Sequence, residues 1–165
     1  MKNALKVLSL SVMLLLTSCG DAKSANVDLY KTSRIVSINS LTFDFGLPYS
    51  VQKDRDIAIF VSFSAENKGS RPFKLIFTTK PYFYRESDNV TYEITASLSS
   101  DPTSYVIESG ESKSFTFRTV VTQTVIVIDG GTEGYCFAFT YNDNFSINYH
   151  LYDKPAETNA NSSAK

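Results

Sequence analysis

Between residues 34 and 153 apolar and polar side chains alternate with a period of two. Ile57, Ile59, Val61 and Phe63 take turns with Ala58, Phe60, Ser62 and Ser64, and the run ends in the turn sequence Glu66-Asn67-Lys68-Gly69-Ser70. Val90, Tyr92, Ile94, Ala96 and Leu98 alternate with Thr91, Glu93, Thr95 and Ser97, which reads as the cleanest half-buried strand. Phe115 and Phe117 alternate with Ser114, Thr116 and Arg118 after a Ser109-Gly110-Glu111-Ser112 turn. Tyr135, Phe137, Phe139 and Tyr141 do so against Cys136, Ala138 and Thr140, and Phe145, Ile147, Tyr149 and Leu151 against Ser146, Asn148 and His150. Further strands are predicted over 34–45, 73–78, 82–85, 105–108 and 124–129. About eight to ten short strands with regular turn signals predict an all-β, antiparallel two-sheet sandwich.

The last two strands fix their own register. With Asn142-Asp143-Asn144 as a three-residue loop, Tyr141 pairs with Phe145, Phe139 with Ile147, Phe137 with Tyr149 and Tyr135 with Leu151, all on one face. A two-residue loop would set every apolar residue against a polar one. The opposite face then brings Cys136 across from His150, beside Ala138/Asn148 and Thr140/Ser146.

The N-terminus follows different rules. Lys2 and Lys6 flank Val7 to Leu16, ten residues of which eight are apolar. That is about half of the roughly 20 residues needed to cross a bilayer, so the segment reads as a signal-peptide helix over 1–18. The tripeptide Leu16-Thr17-Ser18 directly before Cys19 resembles the lipobox of bacterial lipoproteins. The resemblance implies cleavage before Cys19 and covalent diacylglycerol and N-acyl chains on that residue, with no other cofactor. Each buried acyl methylene contributes about 0.8 kcal/mol, so the chains alone would hold the protein on the cell envelope. Gly20 after the cysteine, where Asp would favour the inner membrane, implies the outer membrane of a Gram-negative organism. The polar stretch 19–33 reads as a flexible tether, 34–153 as the domain, and the Ala/Asn/Ser-rich stretch 154–165 as a disordered tail.

Two turn-and-strand segments carry a second resemblance. Phe60 to Phe73, with Asn67-Lys68-Gly69 at its turn, and Glu108 to Phe117, with Gly110-Glu111-Ser112, resemble bacterial immunoglobulin-like modules. Their size also suits the sandwich lipoprotein of type VI secretion systems, although no stretch aligns to it. The fold implied is an immunoglobulin-like sandwich, and fold does not fix function.

Composition narrows the function classes. Removing residues 1–18 from the 165 leaves 147 residues, enough for a single core. Twelve Phe and ten Tyr without Trp favour strands. Sixteen basic residues against 17 acidic, scattered singly, offer no basic stripe for nucleic acid. There is no Gly-x-Ser-x-Gly elbow, His-Glu-x-x-His helix or dinucleotide fingerprint, so an enzyme is not indicated.

Three candidate sites remain. Tyr82, Phe83 and Tyr84 crowd one strand, so at least one must face away from a two-sheet core, where it would stack on a glycan or anchor a protein partner. Cys136 and His150 suit a nucleophile with its base, or two weak ligands of a soft metal, but lack a third partner; a small packed cysteine is the bland account. Asp129-Gly130-Gly131-Thr132-Glu133-Gly134 holds two acids without the spacing of a calcium loop, and reads as a turn. The expected function is that of a lipid-anchored, non-enzymatic binding module for another envelope macromolecule, with a glycan- or small-ligand-binding module and a redox or metal site at Cys136/His150 as alternatives.

Overall fold

The computed structural model describes residues 24–97, 104–122 and 131–154, all of them strand, turn or loop. Its strands are β1 (Ala25–Leu29), β2 (Ile35–Ile38), β3 (Leu41–Phe45), β4 (Tyr49–Lys53), β5 (Asp56–Asn67), β6 (Phe73–Arg85), β7 (Val90–Tyr92), β8 (Ala96–Ser97), β9 (Ser104–Ile107), β10 (Ser112–Thr122), β11 (Tyr135–Tyr141) and β12 (Phe145–His150). One sheet runs β1-β12-β11-β6-β7, with β9 on the first half of β6. The other runs β2-β3-β5-β10-β8, with β4 on the first half of β5.

The period-two pattern explains why the sheets face each other. β5 and β10 pair along their whole length, from Thr122 opposite Asp56 to Ser112 opposite Glu66, so Ile57, Ile59, Val61 and Phe63 share an inner face with Phe115, Phe117 and Val121. The other sheet answers with Phe77, Phe83, Phe137, Phe139, Tyr141, Ile147 and Tyr149. Phe63 is the hub, its ring 5.2 Å from Phe139, 5.0 Å from Phe45 and 5.0 Å from Phe115. Burying each such ring contributes about 1.5–3 kcal/mol.

Strand order settles the fold class. In chain order β3, β5, β6, β7, β8, β10, β11 and β12 occupy the A, B, C, C′, D, E, F and G places, with A-B-E-D in one sheet and G-F-C-C′ in the other. The domain is an immunoglobulin-like sandwich. The two turns behind the family resemblance dock on each other. Asn67, fully buried, donates through Nδ2 to the carbonyls of Arg71 (2.7 Å) and Ile107 (2.9 Å), accepts from Gly69 N–H (2.9 Å), and takes Gly110 N–H on its own carbonyl (2.8 Å).

The anticipated hairpin register is present, with Tyr141 opposite Phe145, Phe137 opposite Tyr149 and Cys136 opposite His150. Asn142 and Asp143 both take positive φ, 45° and 62°. Asn142 also grips β6: its side chain accepts from Ile76 N–H at 2.8 Å and donates to Lys74 O at 3.1 Å.

Several expectations are corrected. The tether over 19–33 gives way at Ala25, because β1 pairs in parallel with β12 and covers what would be an open edge; the domain therefore starts before residue 34, and the sandwich is not purely antiparallel. The single strand over 34–45 is a hairpin, β2 and β3, turning at Asn39 with φ 55°. The run 90–98 splits between sheets, β7 on β6 and β8 on β10, because Thr119 Oγ1 holds the Glu93 carbonyl (2.8 Å) and Thr95 N–H meets Arg118 O (2.9 Å). Segments 73–78 and 82–85 are one strand whose register slips around Thr78 to Pro81. At Gly46, between β3 and β4, a Cβ would lie 2.6 Å from Ser62 Oγ, so a larger residue there requires the Ser62 hydroxyl to turn away. The signal-peptide helix over 1–18, Cys19, the strand over 124–129 and all but Lys154 of the tail lie outside the described residues.

Candidate functional site

The outer face of the β1-β12-β11-β6 layer gathers most of the residues that the sequence singled out. β11 sits between two neighbours and turns its short side chains, Cys136, Ala138 and Thr140, outward. Its neighbours turn large ones. Tyr84 on β6 and His150 on β12 flank Cys136, and Tyr82 and Asn148 flank Ala138. The result is a trough with β11 as its floor, in which Cys136 and Ala138 are buried although they face away from the core. β1 extends the wall beyond β12 with Asn26 and Asp28, and Asn148 Nδ2 donates to both, at 3.0 and 2.9 Å.

His150 is held on every side. Its Nδ1 is in direct hydrogen-bond contact with Glu86 Oε1, and Tyr152 hydroxyl lies 3.3 Å from the same nitrogen. Asp28 Oδ1 is 3.7 Å from Nε2. The Tyr30 ring stacks on the imidazole, with centroids 4.6 Å apart and planes at 13°. A Glu86 oxygen, Cys136 Sγ and a His150 ring nitrogen all lie within 4.8 Å of one another. The third partner missing from the sequence reading is therefore Glu86.

Burial pushes the Cys136 thiol up to about 12, against a partial opposing effect from its hydrogen bond with Tyr84; Tyr84 in turn is raised by burial and by that same bond. The sulfur is fully buried with its residue and lies 3.7 Å from Phe137 O. Cys, His and Glu stand in the order of a nucleophilic triad, but a sealed, protonated thiol is the opposite of an activated one.

The aromatic triplet divides. Tyr82 and Tyr84 face outward, half-buried, with centroids 6.1 Å apart. Phe83 is wholly buried, 5.1 Å from Phe137, so it is removed from the binding set. Strand alternation requires this division. Beside Tyr82, a groove of about 460 Å³ is lined by Ser24, Asn26, Thr140, Ser146 and Asn148 among others. The described part of the glycine-rich loop, 131–134, acts as a turn: Thr132 Oγ1 donates to Leu151 O at 3.0 Å, and Gly134 takes φ +78°. Its Asp129 and Gly130 lie outside the described residues.

No protein-family model matches the chain, and no curated protein matches it. Two solved structures resemble it in outline. An uncharacterized β-sandwich protein from Clostridium difficile 630 shares 12% identity, with a TM-score of 0.43 over 80% of this chain and 99% of that one. A Northeast Structural Genomics Consortium target shares 10% identity, with a TM-score of 0.41 over 76% and 96%. At these scores the likeness adds nothing to the strand order already described.

Sequence reasoning set Cys136 across from His150 and turned at least one of Tyr82, Phe83 and Tyr84 outward without saying which; it missed Glu86, Asp28 and Tyr30. Glu86 had a signal, since it continues the outward row Tyr82, Tyr84 by two residues. Asp28 and Tyr30 had none, because a five-residue strand is too short to show a period.

Proposed function

We propose that this chain is a lipid-anchored, non-enzymatic binding module of the bacterial cell envelope, attached through acyl chains on Cys19 and placed in the outer membrane where the organism has one. It recognises another envelope macromolecule with the outer face of the β1-β12-β11-β6 layer. The observation that carries the reading is the pair Tyr82 and Tyr84, half-exposed side by side above a floor of small side chains. Aromatic anchors beside a depression are the usual centre of a recognition surface. Asp28 and Glu86 on this face support a partner other than nucleic acid, whose phosphates would need cations.

Crosslinked pull-down of the full chain from its own membranes is expected to enrich one component near stoichiometry. The double variant Tyr82→Ala/Tyr84→Ala is expected to lose that capture by about tenfold or more. Equal capture by both proteins would overturn the face assignment. A second reading, a glycan ligand, is favoured by the hydroxyl and amide lining of the groove beside Tyr82. Retention of the wild type on glycans from the same envelope, lost with Tyr82→Ala, would select it over a protein partner.

A further inference from the structure

We propose that Glu86, Cys136 and His150 form a zinc(II) site at the far end of the trough, on the same outer face as Tyr82 and Tyr84 and next to Tyr84. The three side chains come from three separate places, the end of β6, the floor strand β11 and the edge of β12, yet their ligand atoms converge within 4.8 Å. In a tetrahedral zinc shell with bonds of about 2.0–2.3 Å, ligand atoms stand roughly 3.3–3.8 Å apart. Glu86 Oε1 already touches His150 Nδ1 more closely than that, so this carboxylate has to swing off the nitrogen as the thiol side of the cluster draws in by at most about 1 Å; Glu86 has the room, with a quarter of its side chain accessible.

The surroundings of His150 suit a ligand better than a packing residue. Stacking on Tyr30 fixes the plane of the ring. With Glu86 a ligand beside Nδ1, the nitrogen that faces the ion is Nδ1, and Asp28 Oδ1 stands 3.7 Å from Nε2 on the far side of the ring. A carboxylate behind the histidine is the usual orienting arrangement at zinc. Donor chemistry chooses the metal. A thiolate, an imidazole and a carboxylate together match zinc(II), whereas copper(I) would prefer sulfur ligands throughout and calcium oxygen ligands throughout. On binding, the Cys136 proton leaves to solvent as the Zn–S bond forms, the proton shared by His150 Nδ1 and Glu86 passes to solvent while the neutral imidazole keeps its N–H at Nε2 beside Asp28, and the Glu86–His150 hydrogen bond is exchanged for two metal bonds.

The test uses the full chain in detergent, stripped with chelator and titrated with Co²⁺ and then Zn²⁺. One equivalent of Co²⁺ is expected to produce a thiolate-to-cobalt charge-transfer band, which Zn²⁺ bleaches. Cys136→Ser should abolish the band, separating this thiol from Cys19, and Glu86→Gln should weaken Zn²⁺ binding by about tenfold or more. Circular dichroism establishes that each variant is folded. Absence of the band in the wild type overturns the proposal, as does its persistence in Cys136→Ser. Should Cys136→Ser fail to fold, Glu86→Gln decides: unchanged affinity overturns the site, and tenfold weakening upholds it. Loss of metal binding without loss of macromolecule capture would leave the Tyr82/Tyr84 reading standing.

Discussion

The inner and outer rows of the β11–β12 hairpin are built from interleaved residues of the same two strands, and they obey different physics. Inward, Phe137, Phe139, Tyr141 and Tyr149 meet Phe43, Phe45 and Phe63 through ring contacts at 4.8–6.5 Å, with Ile147 buried among them. These contacts are many, weak and non-directional, so the row is specified by size and apolarity. Outward, Cys136, His150 and Asn148 are specified by particular atoms brought from elsewhere, Glu86, Asp28 and Asn26. The inner row holds the sandwich together, and the outer row gathers the thiol, imidazole, carboxylate and amide groups.

The contrast yields graded expectations. Phe139→Ala should cost about 3–5 kcal/mol in denaturant unfolding, because the ring is fully buried at the centre of the core. A cost near 1 kcal/mol would break the distinction. Alkaline pH probes the same row next. Burial raises the Tyr149 hydroxyl from 10 to about 12 and raises Tyr141 as well; the Tyr141 hydroxyl has no hydrogen-bond partner among the described residues. The folded state thus favours the neutral phenol. Its contribution is intact below about pH 10 and is lost as pH rises towards 12, with a limiting slope of about 1.4 kcal/mol per pH unit for Tyr149. Denaturant midpoints at pH 9 and 11.5 should show this fall, and Tyr149→Phe should make it shallower, the remainder coming from the other groups that burial raises, Tyr141 and Cys136 among them. Asn142→Ala removes the grip on β6 and places a Cβ-bearing residue without that side-chain help at positive φ; it should cost about 1–2 kcal/mol, and Asn142→Gly should recover the backbone part. Smallest is Tyr82→Ala/Tyr84→Ala, expected within about 0.5–1 kcal/mol of wild type in thermal unfolding while macromolecule capture is lost.

Legibility in the sequence follows the same division. Apolar alternation exposed the inner rows of β5, β10, β11 and β12 and, through one loop length, the hairpin register that sets Cys136 against His150. It overreached where alternation continued through a change of sheet: 90–98 keeps its period, yet Thr119 and Arg118 capture its middle, so backbone hydrogen bonding outranked pattern. The outer cluster was half legible. Cys136 and His150 are 14 residues apart in one hairpin, whereas Glu86 lies 64 residues from His150 and Asp28 more than 120, and no local period reports contacts at that separation.

The parallel docking of β1 has a consequence for how the molecule stands. Ala25 N–H bonds Asn144 O at the hairpin tip, and Ala25 lies only six positions along the chain from Cys19. Fully extended, that leash reaches about 20 Å. With Cys19 acylated as proposed, the tip at Asn142 to Asn144 and the groove beside Tyr82 hang close over the lipid headgroups. Six residues further along β12, about 20 Å away at the usual rise of a strand, Cys136, Glu86 and His150 lie at the opposite end. Acylation at Cys19 would thus confine the hairpin-tip end of the layer and its groove to within about 20 Å of the lipid, while the sulfur-containing cluster, at the other end of β12, would be free of that constraint.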